Sequence, residues 1–241
     1  QLTWRNGLRD IEACLNAKSE ALYHLGFLEP VAKSTLADAN EKRDWRLWED
    51  LAKSLINRAR NLYQGESLGL ELDNTVYALD SSTIDLTMSV FPWAKFRSTK
   101  SGIKLHTQLD LRGPIPVCIY ISEARVNDIK WLDELIFEPG AIYIMDRGYI
   151  DWARLFQIAS SGAFFVIRAK DNLRFTRYKS QPVDKSTGLR SDQIGKLSIL
   201  KSKGDFPTHL RRVRFYDEEK QKRLVFLTNN LQIPALTVAK L

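Results

Sequence analysis

The spacing of apolar positions along the chain changes from a helical to a strand-like period near residue 74. Leu8, Ile11, Leu15, Leu22 and Leu25 recur at steps of three, four or seven, which predicts one helix over residues 8–25 closed by Gly26. A second helical region opens at Ser34. Asp44 can cap a longer helix in which Trp45, Trp48, Leu51, Leu55, Ile56, Ala59 and Leu62 form an apolar stripe before Gln64-Gly65 ends it. From Asn74 the pattern is that of strands, and Thr75 to Leu79 reads as a buried strand ending at Asp80. Lys104 to Leu111 and Val117 to Ile121 follow as a second and third strand, turned at Gly113-Pro114. Asn127 or Asp128 then opens a helix with Ile129, Leu132, Leu135 and Ile136 inward, closed at Pro139-Gly140. Ala141 to Met145 is a fourth strand ending at Asp146. A helix from about Asp151 to Ser160 and a fifth strand, Ala163 to Ile167, complete the unit.

Three strands, helix, strand, helix, strand predict an α/β fold, a mixed sheet with helices on its faces. Beyond Arg168 the runs Leu173 to Tyr178, Leu210 to Tyr216 and Arg223 to Leu227 add strands, the last two joined across residues 217–222. Ser180 to Gly204 is polar and reads as loop. The expected organisation is an all-helical N-terminal segment over residues 1–70 and an α/β domain over 71–241, with a β-rich insertion from about residue 170. The helices carrying Lys33, Lys42, Arg43 and Arg46 suit a helix-turn-helix reader of DNA, or a helical cap whose charges are solvated.

At 241 residues and 44% hydrophobic composition, the chain is long enough for one sizeable core. Lys and Arg number 36 against 29 Asp and Glu, a net charge of +7 that favours a polyanionic partner such as nucleic acid. Cys14 and Cys118 lie outside any disulfide or zinc pattern, which fits a reducing, cytoplasmic setting. No run is apolar enough for a membrane span and no signal peptide opens the chain. It begins within a helical pattern and ends in an apolar run, so both ends are expected to be cut.

Asp80 and Asp146 each stand where an apolar strand runs out, the edge at which α/β sheets place ligand crevices. Should the first and fourth strands be parallel neighbours, the carboxylates face each other, and two adjacent anions need a cation. Oxygen ligands with open water positions suit Mg²⁺ or Mn²⁺. Two such ions roughly 3.5 to 4 Å apart can activate the attacking oxygen and stabilise the leaving oxygen of a phosphodiester. An Asp at a strand end is also ordinary turn chemistry, so the flanking residues decide. Leu79-Asp80-Ser81-Ser82-Thr83, Gly102-Ile103-Lys104-Leu105-His106 and Met145-Asp146-Arg147-Gly148-Tyr149-Ile150-Asp151 resemble the DDE transposases of the insertion-sequence-four family. Residues 34–46 resemble the helical N-terminal domain of one branch of that family, and Arg223 to Asn230 the strand before its last catalytic helix.

The resemblance implies a ribonuclease-H-like fold, a divalent-metal site of Asp, Asp and Glu, cleavage at transposon ends, and transfer of the freed 3′ hydroxyl into target DNA. Residue by residue, the first Asp is Asp80 and the second Asp146. The Glu has no counterpart here: Asp217, Glu218 and Glu219 read as a solvated hairpin turn, and the chain is expected to stop before the Glu helix and to have little or no catalytic activity. A homodimer on DNA is compatible with this reading. Arg147 suits either a phosphate beside the metal or a neutralising role toward Asp151 or a helix end. Lys104 and His106 share one strand face toward the crevice, with a hydrogen-bonded structural role the alternative for the His. Arg168, Lys170, Arg174, Arg177 and Lys179, interleaved with Phe175 and Tyr178, suit a DNA track or an ordinary basic sheet face. Trp93 and Phe96 precede a basic loop, residues 97–100, that could also reach DNA.

Overall fold

Four helices open the chain in the computed structural model, which describes residues 7–86, 94–97 and 100–241. They are α1 (Leu8–Asn16), α2 (Ser19–Tyr23), α3 (Lys33–Lys42) and α4 (Arg46–Tyr63). The single helix expected over 8–25 is thus two. Asn16 is drawn out of the pattern by a paired hydrogen bond with Val31, its Nδ2 donating to the Val31 carbonyl and its Oδ1 accepting from the Val31 N–H at 3.0 Å. Asp44 caps α4 as expected, its Oδ1 accepting from the Arg46 N–H at 2.9 Å. The stripe on α4 is exposed at Trp48, Leu51 and Leu55. Compact units divide at Leu55/Ile56, inside α4. The end of α4 belongs to the second unit because the Tyr63 ring lies so close to Gly113 that a Cβ there would stand 2.5 Å from it.

In the second unit the strands are β1 (Val76–Leu86), β2 (Lys95–Arg97), β3 (Lys100–Asp110), β4 (Ile115–Glu123), β5 (Ile142–Met145) and β6 (Phe164–Arg168). Then follow β7 (Phe175–Gln181), β8 (Leu189–Leu197), β9 (Leu210–Asp217) and β10 (Lys222–Thr228). Helix α5 (Trp152–Ser160) precedes β6, α6 (Leu200–Asp205) precedes β9, and α7 (Ala235–Lys240) follows β10. The first strands form an antiparallel meander, β1 with β3 and β3 with β4, while β1, β5 and β6 run parallel. The order β4-β3-β1-β5-β6, with β3 antiparallel to the rest of the central strands, is the ribonuclease-H-like arrangement. The sheet continues through β10, β9 and β8 to β7 at the edge.

Side chains alternate between two cores, as a half-extended backbone requires. Tyr77, Leu79, Tyr143, Met145, Phe165 and Ile167 pack beneath α5 with Leu155, Ile158, Trp131 and Phe206. Val76, Ile142, Val166, Leu189 and Val213 face the other way, against Val238 of α7. Strand β5 is therefore apolar throughout.

Three expectations are corrected. Residues 128–136 make only a 3-10 turn, Asp128–Asp133, capped by Asn127, and Ile136 is 95% exposed. The cause is an extended run in which Leu135 and Phe137 reach the core, so the period there is two rather than 3.6. Ser180 to Gly204 is not a loop but holds β8 and α6; the polar character of β8 is absorbed by cross-strand partners, Asp192 with Arg211 and Gln193 with Arg212. Strand β1 does not end at Asp80 but continues to Leu86 on its antiparallel side. Trp93 and part of the basic loop after it lie outside the described residues. Among the described residues, no helix is long and apolar enough to cross a membrane.

Candidate metal and nucleic-acid site

The parallel ladder fixes the relation of the two aspartates. Its last paired row runs Leu79, Met145 and Ile167 across β1, β5 and β6. The residues that follow are Asp80, Asp146 and Arg168, one from each strand, on neighbouring backbones about 4.8 Å apart. Alternation gives all three the parity of the face on which α7 packs. The two carboxylates are exposed, and each has one oxygen held in place by a backbone N–H. Asp80 Oδ1 accepts from Ser81 at 2.8 Å, and Asp146 Oδ1 accepts from Gly148 at 2.8 Å. A Cβ on Gly148 would stand 2.8 Å from the Asp146 oxygen, so the glycine is what lets this N–H approach.

The remaining oxygen of each Asp makes no hydrogen bond among the described residues. Two carboxylates with one free oxygen apiece, on adjacent strands, fit a hard divalent cation that completes its shell with water or phosphate. Among the described residues, no group of three or more His, Cys, Asp or Glu is arranged to hold a metal ion. Asp217, Glu218 and Glu219 sit at the β9–β10 hairpin, where the Asp217 carboxylate accepts from the Lys220 N–H at 3.1 Å.

Around the pair, the expected residues divide. Lys104 is committed internally: its Nζ lies 2.9 Å from Asp128 and donates to the Val126 carbonyl at 2.7 Å. His106 is buried, its Nε2 2.8 Å from Ser122 Oγ and its ring against Tyr120 and Trp131. Burial holds its pKa below the ordinary value; the Asp128 carboxylate opposes this and Lys104 adds to it. Arg147 stays exposed, 3.9 Å from Asp171, because Asp151 already caps α5 and pairs with Arg154. Tyr149 is buried in the core beneath α5. Burial pushes its phenol pKa up, the Asp128 carboxylate adds to this, the Ser81 hydroxyl opposes it, and the Asp80 and Asp146 charges add weakly.

A basic cleft is lined by Arg168, Lys170, Arg212, Arg214 and Arg223, with Arg212 and Arg214 on the sheet face opposite the one α7 covers. Arg177 also belongs to this field: burial lowers the Arg212 pKa first, and the charges of Arg214 and Arg177 lower it further. Arg212 lies with its guanidinium 4.4 Å from the centre of the Phe175 ring and donates to Gln193, a neutral partner. Arg174 faces a neighbouring groove with Lys170, and Lys179 is exposed on the edge strand β7. Sequence reasoning missed Arg212, Arg214 and Arg223. The period-two spacing of Arg212 and Arg214 on a strand was the available signal, and the place of Arg223 on the same face, across the hairpin, needed the register.

Comparison with known proteins adds a family and two relatives. The family described as "Transposase DDE domain" matches residues 71–241, and a domain of unknown function matches residues 1–28. The chain is 29% identical over 213 residues to "Putative transposase y4zB" of Sinorhizobium fredii, covering 86% of this chain and 57% of that protein. It is 24% identical over 172 residues to "Probable transposase for insertion sequence element IS5377" of Geobacillus stearothermophilus, covering 70% and 45%. The chain thus spans about half the length of the curated relatives it matches. Among solved structures, a piggyBac transposase synaptic complex with hairpin DNA is 11% identical with a TM-score of 0.39, covering 69% of this chain and 36% of that one.

Proposed function

Since the chain belongs to the transposase DDE domain family through residues 71–241, we propose that it serves DNA transposition by metal-dependent phosphoryl transfer at the ends of an insertion sequence, in the branch that the insertion-sequence-four motifs indicate. The observation that carries this reading is the placement of Asp80 and Asp146 directly after one paired row of two parallel strands. Held there, the two free carboxylate oxygens bind Mg²⁺ or Mn²⁺. When bound, the ion neutralises phosphate charge and activates the attacking oxygen. Ser81 and Gly148 N–H groups orient the carboxylates. Arg168, Lys170, Arg177, Arg212, Arg214 and Arg223 bind backbone phosphates, Arg174 and Lys179 extend this track, and Arg147, next to Asp146, meets phosphate beside the pair. Lys104 acts from inside, by fixing Asp128. Two copies, each on one DNA end, are the assembly this function needs.

A second reading, DNA binding without strand transfer, is favoured by the lack of a third carboxylate grouped with the pair among the described residues. The two are separated by a strand-transfer assay with Mn²⁺ on paired DNA ends. Joined product that vanishes in Asp146→Ala supports transposition. Salt-sensitive DNA binding that is indifferent to Mn²⁺ and to Asp146→Ala, without joined product, supports the second reading.

A further inference from the structure

The two edges of the sheet are finished differently. At one edge, β7 carries Arg177 and Lys179, charges of the kind that keep an exposed strand from pairing with another chain. At the other, where β2 covers only the start of β3, the edge strand is β4. It reads Ile-Pro-Val-Cys-Ile-Tyr-Ile-Ser-Glu, with no charge before Glu123, and that carboxylate is already paired with Arg125. Among the described residues β4 pairs only with β3. The register shift on this ladder falls by Pro116 and leaves residues 118–123 regular. The Ala124 N–H donates to the Gly102 carbonyl at 3.1 Å. By alternation along the antiparallel register, the main-chain groups of Ser122, Tyr120 and Cys118 turn toward β3, and those of Ile121 and Ile119 turn outward. The side chains are apolar on both faces: Ile119 and Ile121 are 48% and 59% exposed on one, and Tyr120 is 40% exposed on the other.

We infer that β4 is the edge by which two copies of the chain join, antiparallel about a two-fold axis at Ile119, so that their sheets become one. The inference deepens the two-copy assembly of the proposed function and rests on it for the need of a partner. The strand is its own complement. The axis sets Ile119 against Ile119 of the second copy, Val117 against its Ile121 and Cys118 against its Tyr120, and it brings no like charges together. Each Ile119 offers its outward N–H and C=O to the other, the main-chain bonding by which an exposed edge gains a strand. Because both copies use the same strand, the contact closes at two. Thr107 pairs with both Asp80 and Ile119, so these three residues lie in one row and share one face. The axis extends that row into the second copy. The two Asp80 residues then stand five strand spacings apart, about 24 Å, on the same side of the joined sheet.

Sedimentation velocity of the full 241-residue chain, without DNA or metal, is expected to show a dimer. Ile119→Lys sets two ammonium groups opposite each other at the axis. It is expected to weaken self-association by about a hundredfold, the scale on which like charges brought together in an interface act, with the far-UV circular dichroism unchanged. A second variant reads the register directly. Opposed Cα atoms of a hydrogen-bonded antiparallel pair lie about 5.5 Å apart, within reach of a disulfide. With Cys14 and Cys118 replaced by Ser, mild oxidation of Ile119→Cys should link two chains, whereas Ile136→Cys, at a position 95% exposed, should not. A monomeric wild type overturns the inference. So does a dimer that Ile119→Lys leaves intact, or oxidation that links Ile119→Cys no faster than Ile136→Cys. The strand-transfer assay is read separately: joined product from a chain that does not pair through β4 refutes the inference alone, and pairing through β4 without joined product sustains the inference while refuting transposition.

Discussion

Arg211 and Arg212 are neighbours in sequence, and replacing each should have opposite consequences. Arg211 points to the α7 face of the sheet, where its guanidinium donates to both oxygens of Asp192 at 2.8 and 2.7 Å and to the Ile233 carbonyl. Both side chains of that pair are at most 4% exposed. Arg211→Met leaves the Asp192 charge buried and alone, a loss of about 3–5 kcal/mol. At roughly 2–4 °C per kcal/mol for a unit of this size, the melting temperature should fall by about 6–20 °C. Arg212 points to the basic cleft, keeps no carboxylate partner and is crowded by Arg214 and Arg177. Arg212→Met retains packing on Phe175 and relieves that crowding, so its stability cost should be under about 1 kcal/mol, as for substitutions outside the core. It should instead lower the slope of log affinity against log salt for duplex DNA by about 0.9, the value for one phosphate contact. Calorimetry and fluorescence anisotropy between about 50 and 200 mM salt measure the two effects. The double variant Asp192→Leu with Arg211→Met should recover most of the stability, because no charge is then left buried. The reasoning fails if Arg212→Met melts as early as Arg211→Met, or if Arg212→Met leaves the salt slope at its wild-type value.

Two other outcomes follow from the packing. Because His106 has a folded-state pKa below its ordinary value, the unfolded chain binds more protons as the pH drops below about 6.5. The neutral ring's contribution is therefore complete above that pH and is lost as the pH falls toward the folded pKa; urea midpoints should decline over this window, and His106→Gln should flatten the decline. At Gly195 a Cβ would meet the Thr176 carbonyl at 2.1 Å, a backbone clash. Gly195→Ala should therefore cost on the order of 1–3 kcal/mol and, by displacing β7 with Arg177, weaken DNA binding; a circular dichroism melt together with anisotropy checks both.

Part of the candidate site was legible from local pattern. An apolar run of strand length followed by Asp appears twice, and such runs suit strands buried on both faces of a parallel sheet, the arrangement on which the pairing of Asp80 with Asp146 depended. The helix cap at Asp151 and the hairpin that removes Asp217 to Glu219 from the site were likewise local, because capping and turn chemistry are decided within a few residues. Other features depended on partners distant in sequence. Nothing in the polar run 189–197 announces a strand; Asp192 can be buried there only because β9 brings Arg211 opposite. Lys104 looked like a phosphate ligand until the turn at Asp128 claimed its charge. Leu135 and Ile136 were read on one helix face, whereas Leu135 and Phe137, two apart, reach the core, because periodicity over three residues cannot distinguish the two periods. What the sequence determined by itself was the kind of element and the residues at its ends. Which face each residue took, and so which arginine stabilises the sheet and which lines the basic cleft, was decided by strand register, since a shift of one residue inverts every side chain.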